Sequence, residues 1–336
     1  MAQKVTLAGN IIVDNVKTIT TWPEKGMLVP ITSVKRSPGG AVPNSGIDLK
    51  TLDPSVEVAA FGKVGDDDAG DFVRNFMSER GLDVSDVKSV SGVPTTFTDV
   101  MTVASTGERT FFNMHGADSA LVPEDVDPAE LRCDIFHLGY LLLLDGLDAE
   151  DAEYGTKAAR LLAKVQAAGI KTSLDIVSEQ SDRFARIVRP ALKYCDYVVI
   201  NEVEGALATG LSALDENGRA SEAKLRRICE GLFELGVGEQ VVVHCPELSV
   251  SLDRVGHFAA VPSLELPAGW IKGSVGAGDA FCAGMLYAFL KGMSAEEGMR
   301  LASCTAAMNL AVPDSVSGAK SLAETLSLES RFSRRK

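Results

Sequence analysis

What the chain lacks narrows its function first. It has no cluster of basic residues, and 46 acidic against 33 basic side chains leave a net charge of −13. That balance argues against nucleic acid or an anionic membrane surface as a partner, so a phosphate-bearing ligand must be held by a local site. No apolar run approaches the ~20 residues of a bilayer span, and the longest, 135–144, carries His137 and Gly139. The six cysteines (Cys133, Cys195, Cys229, Cys245, Cys282, Cys304) form no Cys-x-x-Cys pair and have no histidine at ligand spacing, which suits buried thiols in a reducing cytosol. No Gly-x-Gly-x-x-Gly follows the first strand-like run, where Gly9 stands without partners, and this counts against a dinucleotide-binding dehydrogenase. The first residues, Met1-Ala2-Gln3-Lys4-Val5, open into a strand-like run without a signal-peptide pattern, so a cytoplasmic location is expected. Internal repeats and low-complexity linkers are absent too.

What is present is alternation. Strand-like runs at 5–8, 56–61, 135–138, 172–176, 197–200 and 241–244 are separated by helical patterns such as 149–168, 184–194 and 222–235. This predicts an α/β fold with a mostly parallel central sheet flanked by helices on both faces. Beyond Asp279 the pattern turns helical, at 280–291, 295–310 and near 322–328. Two segments break the alternation. Residues 16–35 hold Trp22, Pro23, Gly26 and Pro30 and read as an extended excursion. Runs 95–104 and 109–114 flank the turn Ser105-Thr106-Gly107-Glu108 and read as a hairpin. Together they predict a small β-sheet lid over a site that must exclude water.

The segment carrying most chemistry is Gly273-Ser274-Val275-Gly276-Ala277-Gly278-Asp279-Ala280-Phe281, which leads into a helical run. A glycine-rich turn at a helix N-terminus presents free N–H groups and the positive end of the dipole to an anion. Asp279 and Ala280 stand where a P-loop has Lys and Ser/Thr. An acid in an anion seat repels phosphate unless it has work there, and taking a proton from an attacking hydroxyl is such work. The same pattern also serves as a tight turn with Asp279 as helix cap.

Four other constellations each have two readings. Asp14, after the first strand in Gly9-Asn10-Ile11-Ile12-Val13-Asp14, either grips paired hydroxyls or is a turn acid. Pro38-Gly39-Gly40-Ala41-Val42-Pro43-Asn44 either brings backbone close to a small ligand, with Asn44 adding donors and an acceptor, or merely opens a helix. Asp66, Asp67 and Asp68, between Gly65 and Gly70, read as acids capping a helix. Asn201 and Glu204, just past a strand, either serve hydrated Mg²⁺ or form a capping box.

In order and number these motifs resemble the ribokinase family of carbohydrate kinases, also called the phosphofructokinase-B family, from Gly9 to about Gly318. The resemblance implies a ribokinase-like three-layer fold in one domain, 1–336, with lid segments at about 15–37 and 94–115. It implies an ATP-dependent kinase that transfers the γ-phosphoryl group to a primary hydroxyl of a small carbohydrate. Asp279 would be the general base, with Gly276, Ala277 and Gly278 amides as the anion hole. Asp14, Gly39, Gly40 and Asn44 would bind the sugar, Asn201 and Asn309 would serve ATP, and Glu204 would hold Mg²⁺ through water. The lid implies a homodimer. Arg109, on the hairpin, either meets an acidic group of the substrate or is a solvated turn arginine. A neutral sugar is expected first, a sugar acid second, a nucleoside third; a catalytically weakened binding paralogue is the remaining alternative. Two departures from the family pattern stand out. Gly273, Ser274 and Val275 replace the usual Asp-Thr-Thr, which leaves a K⁺ site doubtful, and Cys245-Pro246-Glu247 replaces a glycine-containing loop near ATP.

Overall fold

The computed structural model describes residues 3–179 and 181–335. The first two residues of the N-terminal run, Met1 and Ala2, and the last position of the expected domain, Lys336, lie outside the described residues.

The chain opens with β1 (Lys4–Gly9) and then leaves the main body as β2 (Ile12–Ile19) and β3 (Ile31–Gly39). It returns through α1 (Ala41–Leu52), β4 (Glu57–Gly65), α2 (Asp68–Glu79) and β5 (Asp83–Val90), then makes the hairpin β6 (Phe97–Val103) and β7 (Arg109–Met114). Next come β8 (Ile135–Leu141), the short helix α3 (Asp145–Asp148), and the two-residue strands β9 (Glu150–Asp151) and β10 (Gly155–Thr156). After α4 (Lys157–Ala167), β11 (Lys171–Ile176), α5 (Phe184–Leu192), β12 (Tyr197–Asn201), α6 (Glu202–Thr209), α7 (Glu222–Glu234) and β13 (Gln240–His244), the hairpin β14 (Leu248–Asp253) and β15 (Phe258–Pro262) closes the sheet. The helices α8 (Ala277–Lys291), α9 (Ala295–Asn309), α10 (Leu322–Leu326) and α11 (Leu328–Arg331) follow.

The nine-stranded sheet has the order β15-β14-β13-β12-β11-β8-β1-β4-β5. From β13 to β5 every neighbouring pair is parallel; β14 and β15 are antiparallel additions at one edge. Apolar residues bury both faces, as a parallel sheet requires. On one side Leu161, Leu162, Ile187 and Leu225 of α4, α5 and α7 pack on Phe136 and Leu174. On the other, Leu49, Met77, Leu286 and Met299 of α1, α2, α8 and α9 pack on Leu7 and Val58. The three-layer expectation holds.

The excursion and hairpin form a separate four-stranded sheet in the order β3-β2-β6-β7, with β2 parallel to β6. Asp67 caps α2 by accepting from Gly70 N–H at 2.8 Å, and it also accepts from Thr95 N–H and Oγ1, pinning the start of β6. Trp22 stacks on Phe112 with ring centroids 6.2 Å apart, and both stay about half exposed.

One expected element is corrected. The helix expected over 149–168 begins at Lys157, because 150–156 folds into the β9–β10 hairpin. Asp151 accepts from Glu153 and Tyr154 N–H, Gly155 takes φ 87°, and Thr156 caps α4 through Ala159 N–H. Among the described residues no helix is long and apolar enough to cross a membrane.

Candidate active site

The parallel strands β1, β8, β11, β12 and β13 end on one side of the sheet, where open α/β folds place ligands. Into this rim points the N-terminus of α8. Gly276 caps it at φ 80°, a conformation strained for any residue with a Cβ, and no side chain caps the helix. This contrasts with α6, α9 and α10, each closed by a capping box. The first-turn amides of α8 are therefore left for a ligand, except that Ala277 N–H leans on Ser274 O at 3.3 Å. A Cβ added at Gly278 would meet nothing within 4 Å, so open space lies over this turn.

Asp279, in that first turn, is buried. Burial raises its carboxyl to about 6, against two opposing hydrogen bonds. Asn44 Nδ2 donates to Oδ2 at 2.9 Å, and Tyr140 hydroxyl donates to the same oxygen at 2.9 Å. Oδ1 has no partner, and neither has Asn44 Oδ1. These two orphaned acceptors call for hydroxyl donors. Asp14, half-buried on β2, is raised to about 7 by burial and by the Asp279 charge, against the pull of Arg109 and a hydrogen bond from Thr98. Gly39 lies against it: a Cβ there would stand 2.6 Å from Asp14 Oδ2. Gly40, at φ 91°, turns the chain into α1 and so delivers Asn44.

A cavity lies on either side of the α8 turn. A cleft of about 210 Å³ lies between lid and body, lined by Asp14, Lys35, Ser37, Arg109, Val275 and Ser315 among others. Arg109 donates to Pro313 O at 3.0 Å, and Lys35 pairs with Asp314, so the lid is tied to the loop after α9. On the far side a groove of about 500 Å³ is lined by Asn201, His244, Ser274, Ala277, Gly278 and Ala306 among others.

Asn201 lines that groove and forms a capping box with the buried Glu204. Asn201 Oδ1 accepts from Val203 and Glu204 N–H; Glu204 accepts from Asn201 N–H, Asn201 Nδ2 and Ser178 hydroxyl. Glu204 is buried and pushed up to about 7. Asp175, at the end of β11, is pushed well above its ordinary value by burial and by Glu204 and Asp279. Among the described residues no lysine or arginine pairs with either. Uncompensated buried carboxylates of this kind fit a divalent cation nearby.

The remaining sites fall differently. Asn309 is buried and donates from Nδ2 to Ser315 O at 2.7 Å, bracing the loop between cleft and groove; Ala306, Ala307 and Leu310 line the groove instead. Cys245 donates its N–H to Leu248 O at 2.9 Å, so the segment without glycine is the tight turn joining β13 to β14. A Cβ at Gly273 would stand 2.9 Å from Val312 O, leaving no room for the aspartate of the family pattern. Sequence reasoning missed Tyr140 and Asp175. Their signal was position alone, at the carboxyl ends of two parallel strands.

The profile described as pfkB family carbohydrate kinase matches residues 3–321. Ribokinase of Haemophilus influenzae is 24% identical over 328 residues, covering 97% of this chain and 98% of that relative. 5-Dehydro-2-deoxygluconokinase of Shouchella clausii is 25% identical over 304 residues, covering 86% and 85%. The solved structure of Arabidopsis thaliana ribokinase complexed with ribose and ATP matches the fold with a TM-score of 0.80 at 21% identity, covering 98% of this chain and 99% of that one. The chain thus belongs to the pfkB family of carbohydrate kinases, phosphotransferases with an alcohol group as acceptor.

Proposed function

We propose that the protein transfers the γ-phosphoryl group of ATP to a primary hydroxyl of a small sugar, with Asp279 as general base. The observation that carries this reading is the unpartnered Oδ1 of Asp279, buried at the uncapped end of α8, whose turn has a cavity on either side. The sugar lies in the cleft, its hydroxyls held by Asp14, Asn44 and the backbone at Gly39 and Gly40. As its hydroxyl oxygen attacks the γ-phosphorus, the proton passes to Asp279 Oδ1 and ADP departs. Gly276, Ala277 and Gly278 amides face the charge that builds on the phosphoryl oxygens. ATP lies in the groove with its phosphates toward Asn201. Glu204, with Asp175 beside it, would hold hydrated Mg²⁺, which would neutralise charge on the phosphates. With Gly273 in place of the family acid, no K⁺ requirement is assigned.

The whole chain acts as one α/β unit with lid segments near 15–37 and 94–115. The exposed Trp22, Phe111 and Phe112 suit a homodimer through the lid, in the cytoplasm. ADP release measured against a panel of sugars, sugar acids and nucleosides tests the reading; no turnover with any of them would remove it. Glu204→Gln is expected to shift the Mg²⁺ titration to higher concentration while the sugar KM holds. An unchanged titration would release Glu204 from the metal.

A sugar acid is the second reading, favoured by Arg109. Its guanidinium donates to Pro313 O at 3.0 Å and otherwise faces the cleft beside Asp14. For an acidic substrate, Arg109→Met is expected to raise KM by about tenfold or more, since a charge-assisted hydrogen bond is worth roughly 1.5–3 kcal/mol. For a neutral sugar the KM should barely move.

A further inference from the structure

We propose that Tyr140 is a positioning residue for Asp279: its hydroxyl, with the Asn44 amide, clamps Oδ2 and leaves Oδ1 as the atom that meets the substrate. The inference rests on Asp279 being the base.

An aspartate carboxyl turns easily about its last torsion, so a base needs something to fix its plane. Two donors on one oxygen do that, and both stand at 2.9 Å. They arrive from different layers, Asn44 from α1 and Tyr140 from the end of β8. Ser45 hydroxyl donates to Asp279 O at 3.2 Å and steadies the backbone as well. Had the donors been divided between the oxygens, each would keep one lone pair but neither would stand wholly open to substrate.

The backbone at Tyr140 supports the assignment. Tyr140 and Leu142 take φ 59° and 86°, the left-handed region that residues with a side chain rarely occupy. Such strain persists only where surrounding contacts hold it. Here Leu143 N–H donates to Tyr140 O at 3.1 Å, Leu142 N–H donates to Asp148 Oδ1 at 3.1 Å, and Arg183 donates to Leu142 O at 2.7 Å. It is from this kinked strand end that the phenol reaches the base.

The clamp also governs when the base is charged. The groups that face Asp279 are Asp14 on β2, Asp48 on α1, Tyr140 on β8, Asp175 on β11 and Cys282 on α8. Behind them Arg109 on β7 faces Asp14, and Glu204 on α6 faces Asp175. None of the direct neighbours is a cation. The Asn44 and Tyr140 hydrogen bonds are what favour the charged carboxylate against burial.

Tyr140→Phe keeps the ring and removes the donor. Its kcat is expected to fall about 10- to 100-fold, the scale of a misaimed reacting group, while the sugar KM stays near the wild-type value. The acid limb of the rate profile should move to higher pH, because the lost bond favoured the ionised base. A tyrosine that only fills space would change melting temperature without moving that limb. Carbon-13 NMR of aspartate-labelled protein gives a readout that needs no turnover, with the Asp279 carboxyl assigned by its absence in Asp279→Asn. Its titration should rise in Tyr140→Phe. A Tyr140→Phe enzyme with wild-type kcat, or an Asp279 titration that stays in place, overturns the clamp. Wild-type protein inactive on every sugar would instead sink the kinase reading, and the NMR titration would still decide the clamp.

Discussion

Asp279→Asn should lose about 10²- to 10⁴-fold in turnover, the contribution of a positioned general base, with little change in KM for sugar or ATP. The carboxamide matches the carboxylate in shape, and its oxygen still accepts from Asn44 and Tyr140, so the site keeps its form. It cannot take the proton. The pH dependence follows from the sign of the shift. Burial raises Asp279 to about 6, and only the ionised form is active, so wild-type turnover falls as pH drops through that value. Asp14 titrates nearby at about 7, held up partly by Asp279, and should ionise at lower pH once that charge is gone. Stability moves the other way from activity. A carboxyl whose folded pKa is raised lends stability below its unfolded pKa and loses it as pH rises through the folded value. Removing the charge relieves that loss, so Asp279→Asn should melt no lower than wild type at neutral pH. Turnover within tenfold of wild type in a folded variant would take Asp279 out of the mechanism.

How much of this could be read beforehand depended on whether a residue's role follows from its neighbours in sequence. The glycine turn before α8 did, because a helix N-terminus with free amides is a local device. So did the Asn201–Glu204 capping box, which is a local device as well. The lid hairpin was legible from its turn, and the parallel core from its apolar runs. The β5 edge strand was not, since Asp83–Val90 has one buried residue and carries little apolar pattern. The β9–β10 hairpin was hidden because 150–156 sits among helix-favouring residues, and only the Asp151 turn and Gly155 betray it. Asn309 shows the limit for side chains. The helix carrying it was expected, but its inward direction depends on a loop that the sequence does not place. Asn44 was read as a substrate ligand, yet its amide is committed to Asp279 and only its oxygen is left over. Tyr140 lay inside the longest apolar run, where nothing marks it as polar chemistry, and its partner is 139 residues away.

Gly276→Ala is expected to cost about 10²- to 10³-fold in kcat, the scale of losing a preorganised donor to developing negative charge. Two independent obstacles stand against the added methyl. At φ 80° a Cβ brings the left-handed penalty of roughly 1–2 kcal/mol. The new atom would also lie 2.7 Å from Ser315 Cβ and 2.8 Å from Ser315 Cα and O, so a loop and not a flexible side-chain tip must yield. That loop is braced by Asn309 and tied to the lid through Pro313 and Asp314, so yielding disturbs the sugar cleft together with the amides. Gly278, by contrast, has open space above it, and Gly278→Ala strains nothing in the free protein. A methyl there would enter the space proposed for the phosphates, so it should raise KM for ATP before it lowers stability. Comparing the two variants separates the turn's shape from its emptiness. If Gly276→Ala keeps its kcat and its melting temperature, the α8 turn is not the device that holds the transferring phosphoryl group.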